Sequence, residues 1–194
     1  DKFGNVISNT YTINSAFGSG VTIKGTGVLM NNEMDDFSGQ PGVPNQFGLL
    51  GGKANEIESA KRPLSSMTPT LVFEDDKPFL AIGSPGGSRI ITAVLQIILN
   101  VVDFKHSLEE ATASKRIHHQ WYPDDIDIEE NYKQLNELLD LGYDVDIIDT
   151  ATCTQSIMIS NGEFLGVSDL RRPDSLALGA VSYTHLTLPT NGEV

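Results

Sequence analysis

A glycine-rich turn between an apolar strand and an apolar helix is the feature that most constrains the fold of this chain. Residues 81–90 read AIGSPGGSRI, and a predicted helix continues from this turn to about Val102. Backbone amides at the start of a helix point outward, where they can bind an anion or a developing oxyanion. The turn lacks the G-x-x-x-x-G-K pattern of a phosphate-binding loop and the G-x-S-x-G pattern of a nucleophile elbow. Two interpretations stay open at this point, a structural turn and an oxyanion site.

The predicted order of secondary structure is strands, then helices, then strands. The helix at Ser107–Arg116 begins with a capping box formed by Ser107 and Glu110. Asn161-Gly162 is the typical turn of a two-residue β-hairpin. This order favours an α+β layered domain over a doubly wound fold. The other predictions are a helix at Glu129–Leu141 and strands at Val6–Ile13, Val21–Met30, Thr70–Phe73, Pro78–Ile82, Tyr143–Asp149, Gln155–Ile159 and Glu163–Val167.

Charge and hydropathy exclude two classes of partner. The chain has 194 residues, with 13 Lys and Arg against 26 Asp and Glu, which gives a net charge of -13. A balance this acidic repels nucleic-acid phosphate, so DNA and RNA are not expected partners. The longest apolar stretch, Ile90–Val102, is interrupted by polar residues and is shorter than the roughly 20 residues of a membrane-spanning helix. We therefore expect no membrane span in this sequence.

Three polar segments are candidates for a site, and two of them also have a simpler structural interpretation. Residues 35–55 form a long loop rich in glycine and proline, and loops of this length are usually lids or binding loops. The adjacent hydroxyls of Ser65 and Ser66 can ligate a carboxylate, or can simply belong to a turn. The carboxylates within Asn31–Asp36 can bind an ammonium group, or can be solvated acids of a turn.

Two further features predict no special chemistry. His118 and His119 are adjacent and lack the spacing of metal ligands, so we predict no metal site and no cofactor. Cys153 has no basic neighbour that would lower its pKa, and we expect it to be a small buried residue instead of a nucleophile.

Six segments share their order with a known family. They are Met30–Ser38, Pro41–Asn45, Lys61–Thr70, Gly83–Ser88, His118–Trp121 and Thr154–Ser156. Together they resemble the small subunit of the gamma-glutamyltranspeptidases, or glutathione hydrolases, over about residues 1–179. The resemblance implies the fold of an N-terminal-nucleophile hydrolase, an α+β protein with stacked αββα layers.

The resemblance also implies an activity and its partners. In this family a precursor cuts itself, and a newly exposed threonine attacks the gamma-glutamyl amide of glutathione or a related compound. The acyl group then passes to water or to an acceptor amino acid or peptide. The implied partner is the large subunit of the same precursor, and the implied location is periplasmic or secreted in a bacterium. A related acylase of the cephalosporin or glutaryl type and a non-catalytic amino-acid-binding fragment are the alternatives.

Four positions of the resemblance lie around the reacting carbonyl. Gly86 and Gly87 would supply the amides of the oxyanion hole, and Thr12 would hydrogen-bond the nucleophile and its amine. The loop from Ser38 to Gly52 would be a lid. Its residue Phe47 stands where several members of the family have tyrosine, so a hydrogen bond from that hydroxyl cannot form here.

Five positions would bind the amino-acid end of the gamma-glutamyl donor. Ser65 and Ser66 would hold its α-carboxylate, with help from an arginine of the large subunit. Asp36, together with Glu33 and Asn14, would hold its α-amino group. These are implied roles, since the residues alone leave turn serines and solvated acids as alternatives.

The two ends of the sequence carry expectations of their own. The family's small subunit starts several residues before Asp1, so we expect the nucleophilic threonine to be absent and this chain alone to be inactive. Residues 1–179 are predicted to be an incomplete small-subunit domain. Residues 180–194 depart from the family and resemble read-through or vector sequence that would pack poorly.

Overall fold

A computed structural model describes residues 1 and 3–179 of the chain. The expected non-family segment 180–194 lies outside the described residues. Two short 3-10 helices, Glu33–Asp36 and Lys53–Asn55, precede the regular elements. These elements are, in order, β1 (Thr70–Glu74), β2 (Lys77–Gly83), α1 (Arg89–Val102), α2 (Leu108–Ala113), β3 (Ile117–His118), β4 (Ile126–Glu129), α3 (Leu135–Asp140), β5 (Val145–Ile148), β6 (Gln155–Ser160) and β7 (Glu163–Ser168).

The larger sheet has the strand order β1-β2-β6-β7 and is antiparallel throughout. Its strand β2 is central and pairs with β6 in the register Ile82↔Ser156. The smaller sheet has the order β3-β4-β5, in which β4 and β5 are parallel and are connected through α3. The mixture of helices and sheets agrees with the predicted α+β class.

The core forms where α1 and α2 pack on the larger sheet. The buried residues of α1 recur at helical spacing, so one stripe of the helix faces β2. Each large side chain buried there contributes about 1.5–3 kcal/mol to stability relative to an exposed position. The cluster consists of Leu80, Ile82, Ile90, Val94, Ile97, Val101, Leu108 and Ala111. Among residues 1 and 3–179, no helix is both long enough and apolar enough to cross a bilayer.

Several local predictions are confirmed. The capping box at the start of α2 is present, with the amide of Glu110 donating to Ser107 Oγ at 3.2 Å. The β6–β7 hairpin turns at Asn161 and Gly162, both with positive φ. Gly142, with φ of 88°, follows α3 as predicted. Cys153 is buried.

The two predicted strands nearest the start of the chain are wrong. Val6–Ile13 pairs with no strand in the described residues and contacts β2 through Ser8, whose hydroxyl donates to Ile82 O at 2.8 Å. Val21–Met30 folds back on itself through Gly25 and Gly27, both with positive φ, and keeps one isolated bridge. β-Propensity alone does not make a strand, because the backbone also needs a paired neighbour.

Two predicted helices are shorter than expected. The second helix ends at Ala113, since Ser114 is extended (φ -57°, ψ 139°) and Arg116 turns into the interior. The third begins only at Leu135. Glu129, predicted to start that helix, belongs to β4 and is fully buried.

Candidate functional site

The glycine turn of the sequence lies between the end of β2 and the start of α1. Gly86 and Gly87 have φ of 128° and 58°, which are backbone conformations that other residues rarely adopt. Within the described part of the chain, the amide N–H of neither glycine has a hydrogen-bond acceptor. Both glycines line a cavity, so two free donors are available to a ligand in it.

This cavity has a volume of about 750 Å³ and brings together most of the residues singled out in the sequence. They come from the first 3-10 helix and the segment before it, the loop 38–52, the segment before β1 and the glycine turn. The predicted residues in its wall are Thr12, Asn14, Asp36, Phe47, Ser65, Ser66, Gly86 and Gly87. Glu33 does not line the cavity, but its carboxyl interacts with that of Asp36.

The acidic corner of the cavity is centred on Asp36. Burial raises the pKa of this carboxyl, and the hydrogen bond from Asn14 Nδ2 at 3.2 Å only partly offsets the rise. The pKa of Glu33 is also raised, by burial and by the adjacent charge of Asp36. Two carboxylates that are costly to ionise together attract a cation, because a cation would stabilise both. This corner can therefore bind an ammonium group.

Asn14 and Thr12 stiffen the same corner. Asn14 has a φ of 75°, and its amide N–H donates to Thr12 Oγ1 at 2.7 Å. Asn55 Nδ2 donates to the backbone oxygen of Asp36 at 2.8 Å. The position of the carboxylate is thus fixed by three neighbouring polar groups before any ligand binds.

The two serines lie in the irregular segment before β1. Ser65 is exposed and Ser66 is half-buried, and Ser65 Oγ accepts a hydrogen bond from the amide of Met67 at 3.2 Å. Both line the cavity together with Asp36. Hydroxyl donors and a carboxylate in one wall suit a ligand that carries both an anionic and a cationic group.

The lid predicted from the sequence is residues 38–52, and the tip of this loop contacts the glycine turn. Asn45 Oδ1 accepts hydrogen bonds from the amides of Phe47 and Leu49, which shapes the tip. A Cβ atom placed on Gly87 would lie 2.6 Å from Cδ1 of the Phe47 ring. The ring therefore packs directly on the bare backbone of Gly87.

A polar support behind the glycine turn was not predicted from the sequence. Thr152 Oγ1 lies 2.9 Å from Ser84 Oγ and donates to the carbonyl oxygen of Pro85. The hydroxyl of Ser84 donates to Cys153 O at 2.8 Å. A Cβ atom on Gly86 would lie 2.5 Å from Thr152 Oγ1. No sequence signal identifies Thr152, although it is close to the Thr154–Ser156 motif.

Behind Thr152 lies a buried network of charges, which was also missed. The guanidinium of Arg116 donates to Thr152 O and pairs with Asp169 at 2.6 Å, and both side chains are at most 2% exposed. Arg171 pairs with Asp169 at 3.1 Å and with Glu129. Asp169 and Arg171 lie in the run SDLRR at residues 168–172, whose sequence does not indicate burial or partners.

The side chain of His118 has a polar partner at each of its ring nitrogens. Its Nδ1 lies 2.8 Å from Thr92 Oγ1 and its Nε2 lies 3.0 Å from Gln120 Oε1. In the described ranges, no group of three or more His, Cys, Asp and Glu side chains is arranged to hold a metal ion.

The fold identifies the class of protein, and comparisons with known proteins identify the family. The chain has the fold of the N-terminal-nucleophile hydrolases. It matches gamma-glutamyltranspeptidase of Helicobacter pylori, solved as a threonine-to-alanine mutant, with a TM-score of 0.85 and 47% identity over 89% of this chain and 96% of that one. The Pseudomonas nitroreducens enzyme complexed with L-DON gives a TM-score of 0.85 and 44% identity over 94% and 96% of the two chains.

The family model for gamma-glutamyltranspeptidase matches residues 1–179, and the chain belongs to this family. A glutathione hydrolase proenzyme of Escherichia coli K12 is 48% identical over 182 residues, which are 92% of this chain. The same match covers 31% of the Escherichia coli protein, so the chain spans less than a third of the length of that relative.

Proposed function

We propose that this chain supplies the donor-binding wall and the oxyanion hole of a gamma-glutamyltranspeptidase. The observation that carries the proposal is the single cavity in which Gly86, Gly87, Ser65, Ser66 and Asp36 meet. A gamma-glutamyl donor has an α-carboxylate, an α-ammonium group and an amide carbonyl. The cavity wall has the hydroxyls of Ser65 and Ser66 for the α-carboxylate, the carboxylate of Asp36 for the α-ammonium group, and the free amides of Gly86 and Gly87 for the carbonyl oxygen.

In the proposed reaction, the nucleophile is a threonine hydroxyl that the family resemblance implies and that is none of the site residues named above. Its oxygen bonds to the γ-carbonyl carbon, and the negative charge that develops on the carbonyl oxygen is stabilised by the amides of Gly86 and Gly87. The C–N bond then breaks, and the leaving amine takes the proton that the threonine hydroxyl has lost. Water or an acceptor amine attacks the resulting ester, the new C–O bond to threonine breaks, and the hydroxyl is regenerated.

The proposed partner is the large subunit of the same precursor. Apart from the stripe that packs on β2, α1 has a second apolar row of residues about half exposed, namely Ile91 at 48% and Leu95 at 51%. A helix that is apolar on two sides is normally covered on both. The name proenzyme of the Escherichia coli relative supports a precursor that is processed. A periplasmic or secreted location for the assembled enzyme is part of the proposal.

The test uses the complete processed precursor that carries this chain. We expect it to release nitroaniline from gamma-glutamyl-p-nitroanilide, and we expect D36N to raise KM by about tenfold or more, the effect of losing one charged hydrogen bond. D35N is the matched control, because Asp35 is exposed and does not line the cavity. Since the pKa of Asp36 is raised, donor affinity should fall in acid at a higher pH than an ordinary aspartate would give.

A second substrate separates this function from that of a glutaryl acylase. Glutaryl-p-nitroanilide lacks the α-amino group, so the wild-type enzyme should turn it over poorly. In D36N, the difference in kcat/KM between the gamma-glutamyl and the glutaryl substrate should become smaller. Equal turnover of both substrates, or an equal loss on both in D36N, would contradict the proposed donor.

A further inference from the structure

Three consecutive hydrogen bonds connect helix α1 to the tip of the lid. Thr92 Oγ1 lies 2.8 Å from His118 Nδ1, and His118 Nε2 lies 3.0 Å from Gln120 Oε1. Gln120 Nε2 in turn donates to the carbonyl oxygen of Phe47 at 3.1 Å. The side chain of Gln120 is therefore the link between a buried histidine and the lid.

The direction of these bonds is fixed by their partners. Gln120 Nε2 faces two carbonyl oxygens, those of Phe47 and Tyr122, each at 3.1 Å, so it must be the donor nitrogen. The oxygen of the same carboxamide can only accept, and His118 Nε2 must donate to it. The imidazole is 5% exposed, so its ring has little freedom to turn away.

The lid is held at the residue that touches the oxyanion turn. Phe47 has an apolar ring, and the bond from Gln120 fixes the position of its backbone carbonyl. The ring packs on Gly87, where a Cβ atom would lie only 2.6 Å away. The neighbouring Gly48, with φ of 74°, leaves room for Gln120, because a Cβ atom there would lie 3.1 Å from Nε2.

We propose that Gln120, oriented by His118, is a positioning residue that latches the lid and so sets how tightly the cavity binds its donor. The inference rests on the proposed function for the identity of the donor, but the latch itself is a property of the fold. Loss of the latch lets Phe47 leave Gly87 and opens the cavity. Donor affinity therefore changes more than the chemical step does.

The decisive variant is Q120E in the processed enzyme. A glutamate has the same size and can still accept from His118, but it has no hydrogen to donate to Phe47 O or to Tyr122 O. We expect KM for gamma-glutamyl-p-nitroanilide to rise by about tenfold, as for the loss of the one net hydrogen bond that reaches the lid, with a much smaller change in kcat. We also expect faster hydrogen–deuterium exchange in lid peptides spanning residues 38–52. H119Q is the control, because His119 is exposed and pairs with Asp124 at 3.1 Å, away from the lid.

A second variant keeps the test decisive if Q120E does not fold. T92V removes the hydroxyl that holds His118 and should change KM and lid exchange in the same direction but by less. Unchanged KM and unchanged lid exchange in the folded variants would overturn the latch. Hydrogen exchange needs no substrate, so failure of the enzyme to cleave a gamma-glutamyl anilide would refute the proposed function without deciding the latch.

Discussion

At the scale of single residues, the site depends on the absence of a side chain at Gly86 and Gly87. Their positive φ values and the contacts of a hypothetical Cβ atom both require glycine. The two requirements have different origins, since φ is a local backbone property and the contacts come from Thr152 and Phe47, which are distant in sequence. A substitution at either glycine therefore strains the turn and displaces a neighbour.

We expect G87A to lower kcat by about a hundredfold or more, the effect of disturbing one oxyanion-hole donor. The methyl group would have to displace the ring of Phe47. The matched control is G52A, since Gly52 has φ of -106° and open space around its Cα. The measurements are kcat on gamma-glutamyl-p-nitroanilide and the thermal midpoint. A G87A enzyme with the same kcat as G52A would contradict the assigned role.

At the scale of elements, the site is built where the end of β2 meets the segment before β6. Ser84 follows β2, and Thr152 and Cys153 precede β6, so strand pairing brings the two segments together. The turn is thus supported by side chains of another strand segment as well as by its own glycines. This support fixes the direction in which the amides of Gly86 and Gly87 point.

We expect T152V to lower kcat while the fold is kept, at a stability cost of about 1–3 kcal/mol for the polar groups left without a partner. Valine has nearly the same shape, so the packing against Gly86 remains. T70V is the control, since Thr70 donates only to the local carbonyl of Thr68 at 2.9 Å. The test measures kcat and thermal unfolding for both variants. If T152V and T70V lose the same stability and neither changes kcat, this role of Thr152 is refuted.

The sequence predicts elements well where their signals are local. The capping box of α2 and the Asn161-Gly162 hairpin depend on residues within a few positions of one another, and both are confirmed. Val6–Ile13 has the composition of a strand, but the described residues give it no paired neighbour. Glu129 fits a helical pattern, but it pairs with Ile148 of β5 as part of β4, and its side chain forms an ion pair with Arg171. Such long-range pairings have no signature in a single sequence.

The residues of the candidate site also fall into two groups, those that sequence motifs indicate and those that only the structure identifies. Motifs taken together indicate Gly86, Ser65 and Asp36, and these positions meet in one cavity. Thr152 and Gln120 are ordinary polar residues in sequence, and only their contacts reveal them. A family resemblance thus points to residues that would touch the ligand, while the residues that support them emerge from the three-dimensional structure.

At the scale of the whole molecule, the buried charges of Arg116, Asp169, Arg171 and Glu129 connect α2, β4 and the segments flanking β6 and β7. Burial alone would raise the pKa of Asp169, but hydrogen bonding from the amide of Thr154 and the charge of Arg116 outweigh it and hold that pKa below its usual value. The pair therefore stabilises the fold fully above the ordinary aspartate pKa. That contribution is lost as the pH falls through the lower, folded-state pKa.

We expect D169N to destabilise the protein by about 3–5 kcal/mol near neutral pH, because it leaves Arg116 buried without its ion-pair partner. The difference in free energy of unfolding between D169N and wild type should become smaller in acid, where the wild-type carboxyl is protonated and also carries no charge. Chemical unfolding measured across pH tests this, with D75N as control because Asp75 is an exposed residue of the β1–β2 turn. E129Q probes the same network should D169N not fold. A difference that stays constant with pH would contradict the linkage.

The pairing of β2 with β6 also governs how quickly the site is completed. The smaller sheet and the helices α1, α2 and α3 lie between β2 and β6 in the chain. Bringing β2 and β6 together closes a long loop, which costs conformational entropy before the strands make their stabilising contacts. Such pairings therefore form slowly. The packing of α1 on β2 needs only the connecting turn and can form early. We therefore expect the apolar core to form before the glycine turn receives its support from Thr152, so that the cavity takes its final shape late in folding.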